Sequence, residues 1–236
     1  MNDSSPTLVL IPGLLSDDIV WKHAAEKLGN LLPVKIMDVS AGISLTRMAQ
    51  DFLDQVPGDL YVAGHSMGAR IAIEMYRLAP ERVKKLALVD TGIHPRKEGE
   101  EEKRQIRVNL AYNEGMEALA ADWLPPMVHE DRHQDRDLME ALTAMVLRAD
   151  PEQHERQIRA LLDRPEAAQI LQEVTCPTLL VVGRQDQWSP LDQHEEMLEK
   201  LQNTDARLVV IEDAGHFAPI ERPEAVAEAL ATWVRA

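Results

Sequence analysis

Six short runs rich in valine, leucine and isoleucine recur along the chain, and apolar residues at helical spacing fill most of the stretches between them. The runs are Thr7–Ile11, Pro33–Met37, Leu60–Ala63, Val83–Val89, Thr178–Val182 and Arg207–Ile211. Ile71, Met75 and Leu78 follow the third run at helical intervals, and Ala225, Val226, Ala229, Leu230, Trp233 and Val234 do the same near the C-terminus. Strand and helix in repetition require a sheet buried on both faces, so the expected class is α/β: a mainly parallel sheet of about six strands with flanking helices. A chain of 236 residues with 45% hydrophobic content supports one substantial core.

The alternation stops between residues 93 and 174, where helical patterns occur without a convincing strand. Residues 1–92 and 175–236 therefore read as the core, and 93–174 as a helical cap inserted into it. Its apolar positions include Tyr112, Leu119, Trp123, Met127, Leu142, Met145 and Leu147, and Pro125-Pro126, Asp150-Pro151 and Arg164-Pro165 mark helix breaks. The charged run from Arg96 to Arg107 reads as a solvated face.

In open parallel sheets, functional groups gather beyond the carboxyl ends of the strands. After the third run stands Gly64-His65-Ser66-Met67-Gly68, a pattern that lifts a serine onto a strained strand-to-helix turn. After the fifth comes Gly183-Arg184-Gln185-Asp186, and after the sixth Asp213-Ala214-Gly215-His216-Phe217. A serine hydroxyl needs a base to become a nucleophile, and the base needs a carboxylate to fix its tautomer. Ser66, His216 and Asp186 can fill those roles, in the chain order of serine, acid, histidine that such a turn requires. The backbone N–H groups of Leu14 and Met67 are candidates for an oxyanion hole. Two other acids compete with Asp186. Asp192 reads as a first-turn residue of a helix capped by Ser189, and Asp90 as a turn or cap residue that could reach the histidine had the acid migrated.

With these residues in place, the chain resembles the α/β-hydrolase superfamily over nearly its whole length apart from the insertion. The likeness rests on Gly64 to Gly68, on Gly183 to Asp186 with Pro190, on Gly215-His216 and on Arg222-Pro223-Glu224. It is similar in particular to small carboxylesterases with a helical cap. Family members often carry His-Gly in the loop where this chain has Pro12-Gly13. The short N-terminus leaves no room for the leading antiparallel strands of many relatives, which again gives six strands. The resemblance implies a cofactor-independent serine hydrolase that cleaves carboxylic esters through an acyl-enzyme. Trp123, Trp188 and Phe217 would then line a mainly apolar pocket. Fold and triad leave the reaction open: carbon–carbon bond hydrolysis, lactone opening and thioester cleavage use the same scaffold, and a non-catalytic small-ligand binding protein is a further reading.

The formal net charge of −15 argues against a nucleic-acid backbone or an anionic membrane as partner. No window approaches a membrane span, and Met1 to Pro6 do not read as a leader, which points to the cytoplasm. Cys176 is the only cysteine, a small buried residue by its setting. His129-Glu130-Asp131-Arg132-His133 matches a zinc-protease pattern, but its charged centre suits a turn, so no metal and no cofactor is expected. His65 reads as a packing or hydrogen-bonding residue. The expected partner is a small ester-like molecule, and the expected assembly a monomer or homodimer.

Overall fold

The computed structural model describes residues 5–236; the reading of Met1 to Ser4 as free of a leader lies outside them. Its centre is a six-stranded sheet, β1 Thr7–Ile11, β2 Val34–Ile36, β3 Leu60–His65, β4 Val83–Val89, β5 Thr178–Gly183 and β6 Ala206–Ile211, in the order β2-β1-β3-β4-β5-β6. All neighbouring pairs are parallel. β1, β3, β4 and β5 are interior and almost wholly buried, as expected of strands covered on both faces. The edge strands β2 and β6 are only half-buried.

The helices are α1 Lys22–Leu28, α2 Leu45–Gln55, α3 Met67–Leu78, α4 Glu100–Glu114, α5 Met116–Trp123, α6 Arg136–Leu147, α7 Pro151–Leu162, α8 Ala168–Glu173, α9 Leu191–Lys200, α10 Ala218–Glu221 and α11 Pro223–Arg235. Helices α4 to α8 all fall between β4 and β5. Leu119, Trp123, Met127, Leu142 and Met145 of this stretch are buried, whereas Tyr112 and Leu147 are exposed. The Tyr112 hydroxyl donates to Glu155 at 2.7 Å, which holds its ring at the surface instead of in the core. Helix α9 starts at Leu191 with Pro190 as its N-cap, one residue later than the sequence suggests, because Pro190 stays extended at φ −66° and ψ 167°.

The two glycines around Ser66 answer to close packing. A Cβ on Gly64 would stand 2.2 Å from the carbonyl oxygen of Gly68, and one on Gly68 would stand 2.2 Å from that of Ile11. Only hydrogen at both positions lets β3 turn into α3 against β1. No helix among the described residues is long and apolar enough to cross a membrane.

Candidate active site

Ser66 sits at the N-cap of α3 with φ 55° and ψ −116°, a region that side-chain-bearing residues rarely occupy. Its N–H donates to the Val89 carbonyl at 2.9 Å, and its own carbonyl accepts from the Thr91 hydroxyl at 3.0 Å. The end of β4 thus holds the strained turn in place.

His216 reaches Ser66 from the loop after β6. Its Nε2 lies 2.8 Å from Ser66 Oγ, and its Nδ1 lies 2.8 Å from Asp186 Oδ2. Since an ionised carboxylate can only accept, Nδ1 carries the proton, and Nε2 is left to accept from the serine hydroxyl. The other Asp186 oxygen accepts from the N–H groups of Trp188 at 2.8 Å and Ser189 at 2.9 Å. Burial alone would raise this carboxyl, but His216 and those two backbone donors hold it below the usual carboxylate range. It is therefore ionised wherever the protein is folded near neutrality.

Several residues fasten the histidine loop. Glu221 is buried, and its carboxylate accepts from Gly215 N–H at 2.9 Å, Phe217 N–H at 3.2 Å and His129 N–H at 2.9 Å. The His216 N–H donates to the Met127 carbonyl at 2.7 Å. A Cβ on Gly215 would come within 2.7 Å of that same carbonyl oxygen, so residues 127–129 press directly on the loop. His65 donates from Nε2 to the His216 carbonyl at 2.7 Å, and burial, with His216 nearby, lowers its pKa to about 3. It is a neutral strut under the catalytic candidate.

Asp90 ends β4 at φ 47° and is wholly buried. Its Oδ1 accepts from the Gly183 N–H at 2.8 Å, which ties β4 to the loop carrying Asp186. That is a cross-strand tie, where the sequence suggests a turn or cap. Burial and the nearby Asp186 charge push its carboxyl well above the ordinary value, and no hydrogen bond links it to the His216 ring.

Leu14 and Met67 line the same cavity, and neither backbone N–H has a hydrogen-bond partner among the described residues. A Cβ on Gly13 would meet that of Ser66 at 3.2 Å, so the loop after β1 lies against the serine. Leu15, at φ 52°, is pinned from α7: its N–H donates to Gln157 Oε1 at 2.9 Å, while Gln157 Nε2 donates to the Val39 carbonyl at 3.1 Å. Gln157 and Glu221 carry no motif in the sequence, because their roles depend on loops brought in from distant segments.

The cavity above Ser66 measures about 500 Å³, within the range of small-molecule sites. Trp123, Trp188 and Phe217 all line it. Trp123 and Phe217 meet edge to face with centroids 6.0 Å apart, and exposed Trp188 lies under the Arg107 guanidinium at 5.8 Å. The expectation of a mainly apolar pocket needs correction, since Arg70, Lys97, Lys103, Arg104, Arg107 and Arg164 also line it. So does the reading of Arg96 to Arg107 as a purely solvated face. Glu100, Lys103, Arg104 and Arg107 recur at helical intervals and turn one side of α4 to the cavity. That spacing was the available signal.

The zinc-protease pattern dissolves in three dimensions. Glu130–Arg132 is a short 3-10 turn, so no α-helical face carries the two histidines. His133 Nε2 donates to the carbonyls of Pro125 and Val128 instead. Burial pushes the Cys176 thiol up to about 11, away from the reactive thiolate.

His154 of α7 lines the cavity and is buried; burial, with Arg104 and Arg107 beside it, lowers its pKa from the ordinary 6.5 to about 4. The unfolded chain therefore takes up a proton below pH 6.5 that the folded chain refuses until about pH 4. Stability from this group is present above pH 6.5 and is lost as the pH falls towards 4. Urea unfolding of the wild type and His154→Gln at pH 7.5 and pH 5 should show the wild type losing about 2 kcal/mol more than the variant. Equal losses would mean that His154 titrates normally.

Among known proteins, the sequence pattern of the alpha/beta hydrolase family matches residues 8–229. The pimeloyl-[acyl-carrier protein] methyl ester esterase of Nitrosomonas europaea is 28% identical, over 94% of this chain and 92% of its own length. The N-formylmaleamate deformylase of Pseudomonas putida is 27% identical, over 90% and 82%. A thermophilic esterase from Thermogutta terrifontis superposes with a TM-score of 0.89 at 26% identity, covering 98% of this chain and 90% of that one. The chain belongs to the alpha/beta hydrolase family and is itself a hydrolase.

Proposed function

We propose that the protein is a cofactor-independent serine hydrolase that cleaves carboxylic esters through an acyl-enzyme, with residues 93–174 as its cap. The observation that carries this reading is the unbroken chain from Ser66 Oγ through His216 to Asp186, with 2.8 Å at both links. Ser66 Oγ attacks the ester carbonyl while His216 Nε2 takes its proton. The tetrahedral oxyanion forms against the N–H groups of Leu14 and Met67, the second of which opens a helix whose dipole favours negative charge. His216 then returns the proton to the departing alkoxide. A water molecule, deprotonated by the same nitrogen, releases the acid and restores the serine.

Asp186 holds the proton on Nδ1 throughout and stabilises the imidazolium between the two steps. The names of relatives, an esterase and a deformylase, support acyl transfer to water as the reaction class. We place the protein in the cytoplasm, as a monomer or homodimer acting on a small molecule. Its single cysteine suits a reducing compartment.

Intact-mass analysis after treatment with a fluorophosphonate tests the core of the reading. One adduct on the wild type and none on Ser66→Ala is the expected pair of results. Absence of an adduct on folded wild-type protein would remove Ser66 as an activated nucleophile. A panel of simple esters, thioesters, lactones and a vinylogous diketone then separates the ester reading from the other reactions that this scaffold supports.

A further inference from the structure

The cavity over Ser66 has a charge opposite to that of the chain. Its lining carries six cationic side chains and a single carboxylate, Glu100, in a protein of formal net charge −15. Glu100 serves two guanidiniums at once: Arg164 donates to it from Nη1 at 2.8 Å and Nη2 at 2.7 Å, and Arg104 from Nε at 2.8 Å. Burial opposes its charge, but these donors and the Lys97 N–H hold it down to about 2, so it stays ionised and still leaves the trio net positive. Arg107 is matched by Asp122 at 2.7 Å. Among the described residues, no carboxylate lies within ion-pair reach of Arg70, Lys97 or Lys103.

Arg70 is the most telling of these. It stands in the first turn of α3, four residues from Ser66 and so about 6 Å along the helix axis. Its Nη2 donates to the His94 carbonyl at 2.9 Å, and Arg164 Nε donates to the same oxygen at 3.2 Å. Burial, with Arg164 and Arg104 nearby, lowers the Arg70 pKa to about 9 against the opposing pull of Glu100 and Glu166. A cleft lined by one sign of charge focuses its field on whatever enters. An incoming anion would relieve the repulsion between Arg70, Arg104 and Arg164, whereas a neutral group would leave it standing.

We infer that the substrate cleaved at Ser66 bears an anionic group, a carboxylate or a phosphate, a short spacer away from the scissile carbonyl, and that Arg70 and the cations of α4 receive it. The inference rests on the reading of Ser66 as the nucleophile. The acyl–oxygen bond still breaks as described above, and the anion serves to orient the ester over Ser66.

The test compares kcat/KM within two pairs of esters: monomethyl glutarate against methyl pentanoate, and 2-acetoxyethyl phosphate against propyl acetate. The first pair places a carboxylate on the acyl side, the second a phosphate on the alcohol side. Wild-type protein should favour the charged member of at least one pair by about 10- to 100-fold, the range of a hydrogen bond to a charged group. The winning pair identifies the source of the charge. Arg70→Met should bring that ratio close to one. Lys103→Gln, at an exposed position where the fold is safe, should lower it about threefold.

On the same samples, the rate of Ser66 labelling by a neutral fluorophosphonate is measured with and without glutarate or inorganic phosphate at fixed ionic strength. At least one anion should slow labelling of the wild type, and the slowing, taken relative to each protein's own rate, should vanish in Arg70→Met. Labelled Ser66 with no preference for charge and no protection by either anion overturns the inference and leaves the serine hydrolase standing. The same holds if preference or protection survives in Arg70→Met. A wild type that is not labelled at all removes the underlying reading instead.

Discussion

Ser66→Ala should lower kcat for a chromogenic short-chain ester by on the order of 10⁶, while the protein should unfold at an unchanged temperature. The loss follows from removing the hydroxyl that His216 Nε2 is positioned to deprotonate, 2.8 Å away. Stability is spared because alanine keeps the Cβ, and the strain at φ 55° belongs to any residue with a Cβ. Residual turnover should stem from the proposed oxyanion donors, the N–H groups of Leu14 and Met67, which the substitution leaves in place. Because serine and histidine act as a unit, Ser66→Ala with His216→Ala should be no slower than Ser66→Ala alone. Steady-state kinetics and a thermal melt decide the matter, and a variant that keeps wild-type turnover would remove Ser66 from the chemistry.

Asp186→Asn should lower kcat by about 10⁴. The asparagine oxygen can still accept from the Trp188 and Ser189 N–H groups, which leaves its NH₂ facing His216 Nδ1. Two donors cannot face each other, so the imidazole shifts its proton to Nε2 and can no longer accept from Ser66. Asp90→Asn provides the contrast. Its contact is with the Gly183 N–H, so the variant should lose less than about tenfold. A larger loss from Asp90→Asn than from Asp186→Asn would transfer the role of acid to Asp90.

The strands were legible because a parallel sheet covered on both faces leaves an unmistakable apolar run. β1 and β4 match the sequence reading at both ends, and β2 differs because only three of its residues pair at the sheet edge. That Ser66, Asp186 and His216 would meet was legible because each follows a strand and is marked by glycine nearby. The apolar pocket was misjudged for a different reason. Charged side chains on a helix normally face water; the spacing of Glu100, Lys103, Arg104 and Arg107 marks one side of α4, but nothing local says that this side meets the serine at the start of α3. Gln157 and Glu221 were invisible on the same grounds, since a buried amide or carboxylate takes its meaning from backbone donors elsewhere in the chain.

The Gln157 contact also bears on how this enzyme could be re-engineered or could diverge. Helix α7 belongs to the insertion, yet through Gln157 it anchors the Leu15 N–H in the loop after β1, while residues 127–129 brace the loop that carries His216. The insertion is therefore not an exchangeable module laid over a finished catalytic centre. A transplanted segment that lacked an amide at this point would reshape the cavity and release the loop that carries the proposed oxyanion donor Leu14 together. Changes in substrate range would then fall to side chains of α4 and the mouth beside Trp188 that line the cavity without hydrogen bonding to either brace.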